Sequence, residues 1–338
     1  MRSRGEKSEP GSSPLVAIVG PTGVGKTRLA VALGRNVRGE IISADSRQIY
    51  RGMHIGTDKP TVEQRKLVPH HLIDIVAPDQ EFTLAQYQEM AYQAIDDVLV
   101  RNRVPFLVGG TGLYIRAVLE GFTIPRVEPD HLLRGQLLER AQREGHQALH
   151  ARLEEVDPEA AASIDPHNVR RVIRALEVYE ALKQPISRLQ KRKPPPYRVL
   201  KIGLTMDRER LYRRIDERVN RMMERGLLAE VQGLVAEGYD YDLPSMSGLG
   251  YRQIGMYLRG EVDLPTAIRK IKSETHRFVR QQYKWFRLDD ETIVWFDVGD
   301  DGCEAIEQAV VAFLTGAEQG GSHEPDRCGG DHAARSLC

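Results

Sequence analysis

Residues 20–27 read GPTGVGKT and form a candidate phosphate-binding loop. Its glycines let backbone N–H groups turn toward an anion, and the dipole of a following helix adds to that attraction. Lys26 can reach the outer phosphate oxygens, and the hydroxyl of Thr27 is suited to help hold a magnesium ion. The loop comprises Gly20, Pro21, Thr22, Gly23, Val24, Gly25, Lys26 and Thr27. The pattern predicts a polyphosphate ligand without saying which one, and a chance glycine-rich turn is the alternative.

Two further stretches carry polar side chains suited to the same chemistry. Asp45 lies in IISADSRQIYRGM, where its carboxylate could ligate magnesium or accept a proton from an acceptor group held near the phosphates. Thr111 lies in LVGGTGLY and offers a hydroxyl. Both have a structural alternative, because Asp45 or Ser46 suits a helix N-cap and Thr111 could cap the helix that follows.

The elements that must position these residues are short apolar strands. Runs of strand length occur at 15–19, 39–43, 71–76, 104–108, 198–205 and 292–298. Helical patterns separate the first four, for example over 83–100, so the sequence predicts a parallel sheet with helices on both faces. Ligands bind beyond the carboxyl ends of such strands, so the loop, Asp45 and Thr111 are expected at one crevice. Their convergence favours a functional site over separate caps.

The alternation of strands and helices fails between about 121 and 197, where two or three charged helices are expected. We therefore predict an α/β fold: a core of parallel sheet flanked by helices, interrupted by an all-helical insertion. The core comprises 15–120 and 198–316, the insertion comprises 121–197, and a closing helix lies within 301–316. Residues 1–14 and 317–338 have the composition of disordered tails.

Basic residues cluster locally, although the chain balances 48 Lys and Arg against 48 Asp and Glu. One cluster lies in 168–193 and another in 269–287. The segment 266–287 is predicted to form an amphipathic helix. Its packed face is expected to hold Ile268, Ile271, Phe278, Val279, Trp285 and Phe286, and its basic face Arg269, Lys272, His276, Arg280, Lys284 and Arg287. The unneutralised charge favours contact with a nucleic-acid backbone, and an ordinary solvated face is the alternative.

Composition argues against several other classes of protein. The three cysteines, Cys303, Cys328 and Cys338, form no disulfide framework and suit a reducing compartment. Histidines near them could imitate a metal knuckle, but no C-x-x-C pair exists. The N-terminus lacks an apolar signal segment, and no apolar run is long enough to cross a membrane. We expect a cytoplasmic protein without a membrane segment.

The motifs GPTGVGKT, DSRQIYRGMHIGTDKP, PHHLIDI, LVGGTGLYIRA, NVRRVIRALEVY, GLGYRQI and RQQYKWFR follow in this order. In this respect the sequence resembles the tRNA dimethylallyltransferases, also called tRNA isopentenyltransferases, from about Val16 to Trp295. The resemblance implies a P-loop core with a helical insertion lobe and dependence on Mg²⁺. It also implies transfer of a dimethylallyl group from dimethylallyl diphosphate to N6 of the adenosine 3′-adjacent to the anticodon. The tRNAs implied are those that read codons beginning with U, and no obligate protein partner is implied.

The resemblance also implies roles for individual residues. Asp45 resembles the general base, Thr22, Lys26 and Arg214 resemble ligands of the donor diphosphate, and Thr111 lies where the family lines its reaction channel. The residues implied for tRNA binding are Asp45, Ser46, Arg47, Gln48, Arg134, Arg170, Arg171, Val172, Ile173, Arg174, Arg252 and Arg280. From the residues alone, Arg214 and Arg218, one helical turn apart, could add cations to a diphosphate site.

Two other functions are compatible with parts of the sequence. A P-loop small-molecule kinase would use Lys26 to hold ATP and Asp45 to orient an acceptor hydroxyl, but it leaves the helical insertion and the basic clusters without a use. An RNA-binding NTPase or a non-catalytic tRNA-binding protein would use the basic clusters and leave Asp45 as a magnesium ligand or a cap.

Overall fold

The structure is a computed structural model that describes residues 13–298 and 303–316. Within these residues the chain forms two compact units. The sheet unit comprises 13–82, 89–115 and the described residues from 196 onward, and the helical unit comprises 83–88 and 116–195. Most of the two predicted tails, together with Cys328 and Cys338, lies outside the described residues.

Six parallel strands form the sheet, in the order β3-β2-β4-β1-β5-β6. The strands are β1 (Ser13–Val19), β2 (Gly39–Ser43), β3 (His70–His71), β4 (Val104–Val108), β5 (Tyr197–Thr205) and β6 (Val294–Asp297). β1 begins two residues earlier than predicted, and β2 and β4 match their predicted bounds. The central strands β1, β2 and β4 are almost wholly buried because helices cover both faces of the sheet. The predicted parallel sheet is therefore confirmed.

The third strand is much shorter than the predicted 71–76. Leu72 and Asp74 have left-handed backbone conformations, with φ of 61° and 59°, and this conformation cannot continue a strand. Beyond this point the segment is held by a bridge between Tyr50 and Val76 and by backbone hydrogen bonds such as that from the N–H of Ile75 to the carbonyl oxygen of Ile49 at 2.8 Å. The apolar pattern of HLIDIV therefore reflects burial of a turn against the sheet edge, and the prediction of a six-residue strand was wrong.

Helices of the sheet unit flank these strands and connect them. They are α1 (Lys26–Asn36), α2 (Val62–Leu67), α3 (Leu84–Val100), α4 (Gly112–Leu119), α10 (Arg208–Glu224), α11 (Leu227–Ala236), α12 (Tyr251–Leu258), α13 (Leu264–Trp285) and α14 (Cys303–Thr315), with α3 and α4 running on into the helical unit. Leu33 of α1 and Phe106 of β4 belong to the main core and are at most 2% exposed. Burial of each such side chain stabilises the fold by about 1.5–3 kcal/mol. In the described part of the chain, no helix combines the length and the apolar character needed to span a membrane.

Helix α13 is amphipathic, as predicted, and Ile271, Val279 and Phe286 are buried as expected, whereas two other residues of the predicted packed face are not. The buried stripe follows the four- and three-residue helical spacing through Ala267, Ile271, Thr275, Val279 and Gln282. Phe278 and Trp285, which were expected on the packed face, are 38% and 37% exposed. Phe278 precedes the buried Val279 by one position and is therefore turned about 100° away from the stripe, and Trp285 is the last residue of the helix.

The helical unit contains more helices than the two or three expected. Residues 121–195, all of them described, form α5 (His131–Glu144), α6 (His146–Val156), α7 (Pro158–Ser163), α8 (Val169–Leu182) and α9 (Ile186–Leu189). Side-chain caps begin three of these helices, from Asp130, Asp157 and Asn168. Each cap satisfies a backbone N–H that the helix leaves unpaired, which favours short, separate helices in this charged sequence.

Candidate active site

The phosphate-binding loop leaves β1 at a position that only glycine can occupy. Gly20 has φ of 138°, and a Cβ atom there would lie 2.4 Å from the carbonyl oxygen of Leu204. Gly25, the N-cap residue of α1, also has a positive φ and no side chain that could cap the helix. The first N–H groups of α1 are consequently left for an external acceptor, which is the arrangement that binds phosphate.

Lys26 is partly buried over this loop. Its Nζ donates to the carbonyl oxygens of Gly20 and Pro21 at 2.9 and 2.8 Å. Burial lowers the pKa of Lys26 to about 8, against the opposing effect of the Asp45 carboxylate and with a further contribution from the Arg218 cation. An anionic ligand would restore the charged form, so the site is organised to bind negative charge.

Arginines of α10 supply most of the remaining positive charge. They line a pocket of about 350 Å³ together with the loop. The arginines and lysine that line it are Lys26, Arg28, Arg214, Arg218, Arg221 and Arg225, with Lys59 at its edge. The pKa of Arg214 is lowered by burial and by the neighbouring cations Arg28, Arg210, Arg221 and Arg218. Such mutual repulsion is relieved when an anion binds.

Within this cluster Arg218 makes the direct contact with the loop. One guanidinium nitrogen donates to the hydroxyl of Thr22 at 3.0 Å, and Nε is buried without a hydrogen-bond partner among the described residues. The structure therefore brings Thr22, Lys26 and Arg214 together with Arg218, the second arginine predicted from the residues alone, and it adds Arg28, Arg221 and Arg225 to them. The spacing of Arg214, Arg218, Arg221 and Arg225 places them on one helical face, and this periodicity was a signal for the whole set.

Sequence reasoning missed Gln282 of α13. Its side chain is 3% exposed, accepts from the backbone N–H of Thr22 at 2.8 Å and donates to the carbonyl oxygen of Gly110 at 3.0 Å. It thus links the loop to the segment that follows β4. The available signal was a polar residue within the buried stripe of an amphipathic helix, where burial requires hydrogen-bond partners.

Asp45 follows β2 and lines the same pocket as Lys26. Its Oδ1 accepts from the backbone N–H groups of Arg47 at 2.8 Å and Gln48 at 3.4 Å. No helix begins at Asp45 or Ser46, so the helix-capping alternative is wrong, and the two hydrogen bonds instead close a turn and orient the carboxylate. Thr111 accepts from the backbone N–H of Ser46 at 3.1 Å, so the ends of β2 and β4 are joined beside the pocket.

The neighbours of Asp45 are also held in place. Arg47 donates to the carbonyl oxygen of Pro244 at 2.6 Å and to the hydroxyl of Ser247 at 3.1 Å. Gln48 is 9% exposed, accepts from the hydroxyl of Ser43 at 3.2 Å and donates to the carbonyl oxygen of Thr57 at 3.3 Å. These hydrogen bonds fix the side chains of Arg47 and Gln48 in the segment that follows β2.

The oxygen donors of the pocket suit a magnesium ion. Thr27 contributes a hydroxyl and Asp45 a carboxylate, both hard ligands of the kind that Mg²⁺ prefers. Among the described residues no group of three or more His, Cys, Asp or Glu side chains is arranged to hold a metal. This donor set fits an ion bound through one or two protein oxygens and completed by phosphate oxygens and water.

Two predicted tRNA-binding residues of the sheet unit are exposed and paired. Arg252 is paired with Glu274. Arg280 donates to the hydroxyl of Tyr212 at 3.1 Å, and the Tyr212 ring stacks on His276 with the ring centroids 4.0 Å apart. Arg280 therefore lies at the surface beside a flat aromatic group, which is compatible with contact to RNA.

Predicted tRNA-binding residues of the helical unit fall into an exposed and a structural set. Arg170 and Arg171, in the first turn of α8, are exposed. Val172 and Ile173 are buried in the core of this unit, so their side chains offer no surface to a ligand. The helical period of α8 decides this split, because adjacent residues lie about 100° apart.

Arg134 and Arg174 belong to the structural set. Arg134 contacts both carboxylate oxygens of Glu177, at 2.7 and 3.0 Å, and Arg174 contacts one of them at 2.5 Å. Glu177 is 1% exposed, and hydrogen bonds from the two guanidinium groups hold its pKa low against burial, which acts in the opposite direction. These arginines therefore neutralise a buried carboxylate of their own unit.

Comparisons with known proteins identify the family of this chain. A family model described as IPP transferase matches residues 48–289, and one described as Isopentenyl transferase matches residues 13–74. The tRNA dimethylallyltransferase of Roseiflexus sp. (strain RS-1) is 56% identical over 274 residues, which cover 81% of this chain and 90% of the relative. The chain belongs to the tRNA dimethylallyltransferase family.

Solved structures of tRNA dimethylallyltransferases have the same fold. The full-length tRNA isopentenylpyrophosphate transferase of Bacillus halodurans is 42% identical, with a TM-score of 0.67 and coverage of 90% of this chain and 97% of that one. A eukaryotic dimethylallyltransferase acting on tRNA is 25% identical, with a TM-score of 0.77 and coverage of 90% and 80%. The predicted resemblance and fold class are confirmed, and the kinase and the non-catalytic binding protein are set aside.

Proposed function

We propose that this chain transfers a dimethylallyl group from dimethylallyl diphosphate to the exocyclic N6 of an adenosine in tRNA. The observation that carries this proposal is one pocket lined by the phosphate-binding loop, the arginines of α10 and the Asp45 carboxylate. Cations that can hold a diphosphate and a carboxylate that can accept a proton are what an alkyl transfer to an amine requires.

On the donor side, the loop N–H groups, Lys26 and Arg214 hold the diphosphate, and Thr22 is positioned by Gln282 and Arg218. Breaking the allylic C–O bond leaves the bonding electrons on the diphosphate, so cations already in place stabilise the charge that develops. A Mg²⁺ ion held by Thr27 would supply further charge neutralisation on the leaving group.

On the acceptor side, the N6 amine of adenine is a weak nucleophile because its lone pair is delocalised into the ring. Asp45 accepts the N6 proton as the new C–N bond forms, and its hydrogen bonds from Arg47 and Gln48 keep the carboxylate oriented. Next to Asp45 in the chain, the backbone N–H of Ser46 donates to the hydroxyl of Thr111. The target base must leave its stack to reach this pocket, which is easier in an anticodon loop than in a duplex.

For tRNA binding we propose direct contact by Arg47, Arg170, Arg171 and Arg280. Arg252 contributes as well, whether or not it keeps its ion pair with Glu274. Arg134 and Arg174 act indirectly by maintaining α8. The proposed target is the adenosine 3′-adjacent to the anticodon in tRNAs that read codons beginning with U. We further propose a cytoplasmic enzyme that works without an obligate protein partner.

The decisive test incubates the protein with unmodified tRNA, dimethylallyl diphosphate and magnesium, followed by digestion and mass analysis of the nucleosides. One adenosine per substrate tRNA should gain a five-carbon unit. The Asp45→Asn variant should lose roughly two to four orders of magnitude in turnover while retaining most of its tRNA affinity. Consumption of ATP without a prenylated adenosine would show that the proposal is wrong, and collapse of tRNA binding with normal turnover would remove the general-base role.

A further inference from the structure

Asp58 is an acidic side chain inside a pocket whose other charged groups are mostly cations. It lines the pocket with Lys26, Arg214 and Arg218. Its Oδ2 lies 3.4 Å from the same Arg218 nitrogen that contacts the Thr22 hydroxyl at 3.0 Å. Arg218 is therefore shared between the loop and a resident carboxylate before any ligand arrives.

The backbone around Asp58 holds this carboxylate where it is. Asp58 has φ of 50°, its N–H donates to the carbonyl oxygen of Ile55 at 3.1 Å, and its own carbonyl oxygen accepts from Gln48 at 3.4 Å. Asp and Asn tolerate this left-handed conformation better than most residues. The side chain of Asp58 is 45% exposed whereas that of Arg218 is 18% exposed, so the pair lies at the pocket rim with the arginine inward.

A carboxylate in this place opposes the binding of an anion in two ways. It occupies a donor of Arg218 that a diphosphate would otherwise use, and it repels the negative charge of the ligand. The effect weighs more on pyrophosphate than on the prenyl donor, because pyrophosphate has no apolar chain and depends on the cations alone.

We propose that Asp58 weakens diphosphate binding by competing for Arg218 and so assists release of the pyrophosphate product. This inference rests on the proposed use of the pocket as the donor diphosphate site. It makes Asp58 a residue that tunes the balance between donor capture and product release, and it acts through Arg218 without taking part in the chemistry.

The test is the affinity for inorganic pyrophosphate, measured by titration calorimetry at constant free magnesium and ionic strength. Asp58→Asn keeps the size of the side chain and tolerates the backbone conformation, so it removes the charge alone. We expect pyrophosphate to bind about three- to tenfold more tightly, and to inhibit turnover correspondingly more strongly. Unchanged or weaker binding by Asp58→Asn would overturn the inference.

Two control variants and the wild-type affinity distinguish failure of the Asp58 inference from failure of the donor-site assignment. Glu261→Gln removes an exposed carboxylate paired with Arg259, outside the pocket, and should leave pyrophosphate affinity unchanged. In an Arg218→Ala background the gain from Asp58→Asn should shrink to the part that comes from direct repulsion of the ligand, and a gain of the same size there would refute competition for Arg218. If the wild-type protein binds no pyrophosphate, the donor-site assignment itself fails and the inference fails with it. Normal wild-type binding with no response to Asp58→Asn defeats the inference alone.

Discussion

The charge of the partly buried Lys26 side chain depends on whether an anionic ligand occupies the loop. Its ammonium group is held by the carbonyl oxygens of Gly20 and Pro21, which solvate it only in part. Because burial lowers its pKa to about 8, the ligand-free site begins to lose this charge slightly above neutral pH. A bound diphosphate favours the charged form and raises the pKa again.

This coupling predicts a pH dependence of diphosphate affinity. Above about pH 8 the ligand-free Lys26 is neutral, so binding must take up a proton and the affinity falls as the pH rises. The apparent Kd for pyrophosphate should rise by up to about tenfold per pH unit above pH 8, beyond the change due to the ligand's own titration. Lys26→Arg stays charged throughout, so titrations from pH 7 to 9.5 should show the excess slope only in the wild type. Equal slopes in both proteins would contradict this account.

At the scale of the element, α8 combines two roles on different faces. Its buried face joins the core of the helical unit, and Glu177 on this helix is neutralised by Arg134 and Arg174. Its first turn exposes Arg170 and Arg171. A basic run that reads as one cluster in sequence is thus divided by the helical period into arginines that hold the fold and arginines that face solvent.

Substitutions in α8 should therefore separate affinity from stability. Replacing Arg170 and Arg171 together by Ala should reduce the slope of log tRNA affinity against log salt by about one to two and leave the melting temperature nearly unchanged. Arg134→Ala leaves Glu177 partly uncompensated and should lower stability by about 1–3 kcal/mol, less than for a fully buried pair because the guanidinium is partly exposed. Thermal melts and salt-dependent tRNA binding, measured on the same preparations, check both expectations. Loss of stability in the double variant, or none in Arg134→Ala, would reverse the assignment.

For the whole molecule, the distribution of charge matters more than its sum. The chain has 48 basic and 48 acidic residues, so no net charge attracts RNA. Positive charge is instead concentrated in the pocket and along α13, where Arg280 is exposed beside Tyr212. A phosphate backbone responds to such local concentrations because it releases counterions only where cations contact it.

A matched pair of double variants tests this distribution. Replacing Arg280 and Lys284 by Ala should weaken tRNA binding several-fold and lower the salt slope by about one to two. Replacing Arg140 and Arg143 by Ala makes the same change in net charge on α5, where both arginines already pair with Glu144. The α5 variant should bind tRNA almost as the wild type does. Equal losses in the two variants would mean that net charge, and not the α13 surface, governs affinity.

Much of this protein follows from local sequence patterns. The loop, the central strands β1, β2 and β4 and the helical insertion are determined by glycine spacing, apolar runs and helical periodicity, which depend on neighbours in the chain. Those patterns also identify Asp45 and Thr111 as candidates, because the carboxyl ends of parallel strands share one edge. The shortened β3 was not predictable in this way, since two left-handed residues and not hydrophobicity end it.

Tertiary structure decided the partners that lie far apart in sequence. Gln282 contacts Thr22 across 260 positions and Arg218 contacts Thr22 across 196. Local patterns can mark Gln282 and Arg218 as candidates, but they do not indicate that Thr22 is the partner of either. The same holds for the pairing of Arg134 with Glu177, which gives a predicted tRNA ligand a partner within its own unit. Residue types determine what each side chain can do. Which partner uses that capacity depends on packing, because hydrogen bonds and charges act over a few ångströms in space regardless of distance along the chain.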